Sequence, residues 1–288
     1  MRFVSLWVLA VCLSAHLCAD VRVVGSDLIG KDFAASLADY ARRNDIRVKI
    51  DLSGSVRGLE QLQAGDADLG LLVFRPDEKL PGAPFVALPV AYHTAVVVVP
   101  AALPLTQITF DQLNAIYSDE AESNLKRWYD LGVVGEWATN NILPNITGPG
   151  GGISYDLFRY TVLRKPVLKP TVTVQDTVEA TLRRIMGQEG GLAIMPMLPE
   201  KQPSLKALLV ARGPKDVAFG ATEDNIHSGD YPIRLPIYLV FRKDKAKSMQ
   251  VILRYLFSED AVSLWTKARL FPLPIQARNQ QIFDLELL

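Results

Sequence analysis

From Val21 to Phe74 the chain alternates β-branched runs with helix-period runs, and this constrains its fold more tightly than any other feature. Val21–Val24 reads as a strand and Gly25–Asp27 as the turn after it. Phe33, Leu37 and Tyr40 then share one face of a helix over Lys31–Arg43. A second strand, Arg47–Leu52, ends in Ser53-Gly54-Ser55, and a helix through Leu59 and Leu62 stops at Gly65-Asp66. Asp68–Phe74 follows as an apolar run without alternation, the pattern of a strand buried on both faces. Strands and helices in that order imply a parallel sheet with crossover helices.

The same alternation continues in a looser form. Val96–Val99 is a β-forming run, and Thr109–Tyr117 reads as a short helix opened by a capping-type Thr. An irregular stretch, Trp128–Trp137, precedes a strand over Ile142–Ile146 and the glycine-rich turn Gly148–Gly152. Ser154 is expected to cap a helix over Tyr155–Leu163. A further helix, Val178–Met186, leads through Gly190-Gly191 into a strand at Leu192–Met195. Ile233–Phe241 reads as a strand interrupted by Pro236, which suggests an edge or a crossing segment. Lys245–Phe257 and Asp260–Ala268 read as amphipathic helices.

The N-terminus has the order of a cleaved export signal. Arg2 supplies the positive charge, Phe3–Ala15 the apolar stretch, and Leu17-Cys18-Ala19 the small residues before Asp20. The apolar run falls short of the roughly 18–20 residues that a spanning helix needs. Cleavage after Ala19 would remove both cysteines, Cys12 and Cys18, so the mature chain would be held by packing without disulfides. With 49% hydrophobic residues, a chain of this length has the material for such a core. Lys and Arg number 31, as do Asp and Glu, so there is no basic excess to suggest a nucleic-acid partner.

Three polar loops fall where a strand would give way to a helix. They are Gly25-Ser26-Asp27-Leu28, Ser53-Gly54-Ser55-Val56-Arg57-Gly58 and Gly150-Gly151-Gly152-Ile153-Ser154. In open α/β sheets ligands bind at such loops. Hydroxyls and N–H groups at a helix start accept an oxyanion, helped by the helix dipole. Taken singly, each loop has an ordinary reading as turn and cap chemistry. Arg57 either turns into a cleft or lies on the solvent face of its helix; Arg75 and Arg234 are weaker candidates for the same duty.

At these residues the sequence resembles the phosphate-binding proteins of phosphate ABC transporters, within the superfamily of type II periplasmic binding proteins. Ser53–Leu59 followed by Gly65-Asp66-Ala67-Asp68-Leu69 is similar to that family's glycine-serine loop and strand entry. Phe110–Ser118, Gly151–Phe158, Gly190–Ile194 and Tyr231–Tyr238 resemble further markers, in order along nearly all of the mature chain. The resemblance implies an α/β fold of two lobes with crossing strands between them. Residues 20–92 with 238–288 would form one lobe and 93–237 the other. It also implies a small oxyanion, phosphate first, caught by hinge closure, and a membrane ABC permease as partner; a monomer, periplasmic or secreted after cleavage of the signal, is expected. Carried over, Ser26, Asp27 and Leu28 would offer backbone N–H groups. Ser55 and Ser154 would offer hydroxyls, with Val56, Arg57 and Gly152 beside them.

The chain also departs from the pattern it resembles. Gly152 stands where the family has Ser, and Ile153 where it has Gly. No Arg lies near Gly148, and apolar Val73 or Phe74 occupies the place of an acidic residue. Each lost charge-assisted bond would weaken anion binding by about 1.5–3 kcal/mol. A degenerate sensory or scaffolding module, or a site for another organic solute, are the rival readings. Catalysis has little support: the histidines are His16, His93 and His227, with no metal-ligand spacing and no nucleophile elbow, and no cofactor is implied.

Overall fold

The computed structural model describes residues 20–164, 167–187 and 191–288. The expected export signal at residues 1–19 lies outside them, as does Gly190. The first sheet is built from β1 (Val21–Gly25), β2 (Val48–Asp51) and β3 (Leu69–Val73), with helices α1 (Lys31–Arg43) and α2 (Ser55–Ala64) between them. β1 runs parallel to both β2 and β3, as the alternating pattern requires. α1 packs Phe33 and Leu37 with Val23, Leu69 and Leu71. Leu62 of α2 packs on the other face with Val24 and Leu72. Cover on both faces is why β3 is apolar without alternation.

The chain leaves this sheet along β4 (Phe85–Thr94) and, after Ala95 alone, enters β5 (Val96–Pro100). β6 (Gln107–Thr109), α3 (Phe110–Tyr117), β7 (Leu143–Thr147), α4 (Ser154–Val162), β8 (Thr173–Gln175), α5 (Val178–Met186), β9 (Gly191–Met195), β10 (Leu205–Ala207), β11 (Leu209–Ala211) and α6 (Glu223–Ser228) follow. Thr109 caps α3 by accepting from the Gln112 N–H, as expected. Five of these strands form a second sheet in the order β10-β5-β9-β7-β8, while β6 and β11 pair separately. Val96 and Val98 of β5 and Ala193 of β9 pack against Val178, Leu182 and Ile185 of α5.

β12 (Arg234–Arg242) returns the chain to the first sheet, where α7 (Gln250–Phe257), α8 (Glu259–Lys267), β13 (Phe271–Pro272) and α9 (Ile275–Glu286) complete it. That sheet has the order β13-β4-β12-β3-β1-β2. The two passages between sheets meet, since the Ala95 N–H donates to the Ile233 carbonyl and the Tyr231 hydroxyl donates to the Ala95 carbonyl at 2.8 Å.

Some local expectations change. Of the two readings for the strand around Pro236, the crossing segment holds and the edge does not: β12 is an interior strand that pairs with β3 only from Ile237 onward. Pro236 therefore sits before the β3 pairing begins, where β4 alone borders the strand. The helix expected from Lys245 begins as a tight 3₁₀ stretch, Lys243–Met249, and becomes α-helical only at Gln250. Ser154 does not cap α4; it is the first helical residue, because Ile153 before it already has α-region dihedrals. Among the described residues no helix is long and apolar enough to cross a membrane.

Candidate functional site

A cleft of about 820 Å³ opens between the two sheets. One wall is the segment after β3, from Val73 to Leu80, together with Arg234–Pro236 and Tyr238 of β12; the facing wall is Ile153 and the first turns of α4. None of Ser26, Asp27, Leu28, Ser55, Val56, Arg57, Gly152 and Ser154 is itself in this lining; the second and third loops adjoin it through Val73 and Ile153, which mark its inner end. The Val73 N–H donates to the Ser55 Oγ at 2.9 Å, which ties the start of α2 to the cleft-lining end of β3. On the other side, Ile153 lines the cleft immediately before Ser154.

The first two loops are locked together. The Gly54 N–H donates to the Gly25 carbonyl at 2.9 Å, and the Ser26 N–H donates to the Leu71 carbonyl at 2.9 Å. The Leu28 N–H in turn donates to the Ser26 Oγ. Of the three N–H groups expected to face an anion from this loop, those of Ser26 and Leu28 are thus spent inside the protein, and Asp27 keeps its own. Ser55 is different: its oxygen accepts from Val73, so its hydroxyl hydrogen remains to be donated outward. The first N–H groups of α2, on Ser55, Val56 and Arg57, have no carbonyl partner within the helix. The Arg57 side chain is exposed and does not line the cleft.

The third loop is built by close packing. The Gly148 N–H donates to the Gln175 carbonyl at 2.7 Å, and those of Gly151 and Gly152 fold back on the carbonyls of Gly148 and Pro149. A Cβ on Gly151 would sit 2.1 Å from the Thr147 methyl, and Gly152 has φ +116°, so both positions demand glycine. The turn delivers Ser154 to the start of α4 with its side chain 1% exposed. Its Oγ has no hydrogen-bond partner within the protein. A buried hydroxyl in that state costs about 1–3 kcal/mol unless something binds it. Ser26, by contrast, is equally buried but engaged as an acceptor.

A guanidinium that the sequence did not suggest does reach this loop. Arg269, on the turn between α8 and β13, donates to the Gly151 carbonyl at 3.3 Å and pairs with Glu179 of α5 at 3.1 Å. It joins the two halves behind the loop, and its donors are turned to these partners. Around the cleft, Arg75 stands 3.9 Å from Glu78. Arg234 is held by the carbonyls of Ile226 and His227. Arg212 completes the cations of the lining, with Asp77, Glu78 and Asp156 as its acids.

Of the described histidines neither lines the cleft. His93 is buried, its Nε2 has no partner, and burial pushes its pKa down to about 4, which keeps it neutral. The His227 Nδ1 lies 2.9 Å from the Tyr92 hydroxyl, and burial lowers its pKa also. Burial pushes the Tyr92 phenol up to about 12. Among the described residues no three His, Cys, Asp or Glu side chains are grouped to hold a metal.

Comparison with known proteins agrees with this architecture. Residues 14–260 match the PBP superfamily domain. The chain is 23% identical to the phosphate-binding protein PstS of Pseudomonas aeruginosa over 280 residues, covering 92% of this chain and 86% of that protein. It is 23% identical to protein SphX of Synechococcus elongatus over 266 residues, 88% of this chain and 77% of that one. In structure it resembles a possible phosphate-binding protein from Planctomyces limnophilus, with a TM-score of 0.67 at 20% identity over 93% of this chain and 98% of that one. An ABC-type phosphate transport receptor from Vibrio cholerae gives 0.61 at 20% identity, over 88% of this chain and all of the other (100%). With the family matched across most of its length and the two-sheet fold in common, the chain belongs to the PBP superfamily and has the two-lobed type II periplasmic-binding-protein fold.

Proposed function

We propose that this protein captures a small oxyanion, phosphate first, between its lobes and presents it to an ABC-type permease. It acts as a binding protein rather than an enzyme. The observation that carries this reading is Ser154: a hydroxyl 1% exposed, without a partner, at the positive end of α4. A site that keeps an unpaired donor there gains most when an anion supplies the acceptor. The outward hydrogen of Ser55 and the leading N–H groups of α2 supply the opposing half. Asp27 contributes its N–H, while Ser26, Leu28 and Gly152 hold the loops in shape, and Val56 and Arg57 offer main-chain donors at the start of α2.

The relatives named phosphate-binding proteins support the choice of anion. We place the hinge where Ala95 and Ile233 meet, with residues 20–92 and 238–288 in one lobe and 93–237 in the other. Residues 1–19 act as an export signal in this reading, which puts the mature monomer in the periplasm. The test is calorimetric titration of residues 20–288 with phosphate and with sulfate. One-to-one binding of phosphate is expected, and the absence of heat with either anion rejects the reading.

A further inference from the structure

The cleft is far larger than the anion proposed for it. A tetrahedral oxyanion fills only about two to three times the roughly 30 Å³ of a water molecule. The open cleft of about 820 Å³ leaves room for a body attached to such an anion, and its lining decides which body it would suit. Its walls are suited to such a ligand: Phe74, Ile153, Leu157, Tyr160, Leu235 and Tyr238 all line it. Phe74 and Tyr238 meet edge to face at 5.7 Å, giving a firm aromatic surface beside the inner end.

The chemistry at the inner end points the same way. Val73, whose N–H is tied to Ser55, and Phe74 after it are both apolar and both line the cleft. Inorganic hydrogen phosphate carries a P–OH whose hydrogen needs an acceptor, and these side chains offer none. A phosphate ester or a phosphonate carries carbon in place of that hydrogen and would bury it favourably against the same surface. The charged side chains farther out balance, Arg75, Arg212 and Arg234 against Asp77, Glu78 and Asp156, so they call for no second net charge on the ligand.

We infer that the natural ligand is an organic phosphate or phosphonate with an apolar or aromatic body, its oxyanion head at Ser55 and Ser154 and its body along the Phe74–Tyr238 wall. This rests on the oxyanion reading above and specifies its substrate class. The test compares phenyl phosphate with inorganic phosphate by calorimetry, on the mature protein and on Tyr238→Ala, a change in the wall proposed to hold the body, with folding of the variant checked by circular dichroism. Phenyl phosphate is expected to bind at least tenfold tighter than inorganic phosphate. Tyr238→Ala should erode that advantage severalfold, lowering the affinity for phenyl phosphate more than that for inorganic phosphate. Inorganic phosphate binding as tightly as phenyl phosphate, or tighter, overturns this inference alone. An advantage for phenyl phosphate that Tyr238→Ala leaves intact overturns the placement of the body. Heat with neither ligand overturns the oxyanion reading and this inference with it.

Discussion

Replacing Ser154 with Ala should move stability and binding in opposite directions. The hydroxyl is 1% exposed and without a partner, so the unliganded protein carries its desolvation cost with no bond in return. That cost is about 1–3 kcal/mol, and Ala is also the better helix former. Removing the group should therefore stabilise the empty protein by about 1 kcal/mol. For a protein of this size that raises the melting temperature by about 2–4 °C. In the complex the same hydroxyl would donate to an anion, a bond of about 1.5–3 kcal/mol, so Ser154→Ala should bind phosphate roughly ten- to a hundredfold more weakly. Thermal unfolding followed by circular dichroism, without anion and at saturating phosphate, reads both effects. The wild-type protein should gain more from phosphate than the variant does, since binding stabilises by mass action. If Ser154→Ala melts lower without anion and binds as tightly as wild type, the hydroxyl is a packing group and the reasoning fails.

Gly151→Ala places a Cβ 2.1 Å from the methyl of fully buried Thr147, which is itself tied to Thr181, so overpacking should cost about 1–3 kcal/mol in urea unfolding. An unshifted midpoint would show that the turn yields. Arg269→Gln removes the bond to Gly151 and the pair with Glu179. Because that pair is partly exposed, the stability loss should stay within about 0.2–1 kcal/mol, while amide exchange at Gly150–Ser154 quickens; unchanged exchange there would remove its role as a clasp. His93 has a folded-state pKa of about 4 against an ordinary 6.5, so its neutral form is favoured by folding. That contribution is complete above pH 6.5, is lost as the pH falls from 6.5 to 4, and amounts to about 3 kcal/mol. Chemical unfolding at pH 7 and pH 4.5 should show a smaller decline in His93→Leu than in the wild type, and equal declines would contradict the assignment.

Sequence patterning made the first sheet legible because its strands and helices are simple. Leu69–Val73 is apolar throughout since α1 and α2 cover both faces, and Phe33, Leu37 and Leu62 keep helical spacing. β4 was harder to read, because Pro89 interrupts it and only its second half is fully buried. α9 is hard to read for a related reason: Ile275 and Phe283 are exposed while Arg278 is buried, so core-facing Leu285 and half-buried Ala277 and Ile282 do not stand out at helical spacing. The anion loops could be found because glycine and serine ahead of a helix leave a local signature. What those loops do with their hydrogen bonds could not, since the partners of Ser26 and Ser55 are Leu71 and Val73 on another strand. Arg269 lies 118 residues from Gly151, and no local pattern joins the two. The cleft itself is likewise assembled from distant segments whose apolar residues read singly as ordinary core.

The most direct measurement is a crystal structure of the mature protein grown with arsenate, an oxyanion of phosphate geometry whose anomalous signal locates it unambiguously. One arsenate is expected at the inner end of the cleft, within hydrogen-bond distance of both the Ser55 and the Ser154 hydroxyls. An arsenate bound elsewhere, or a cleft left empty at saturating arsenate, would contradict this.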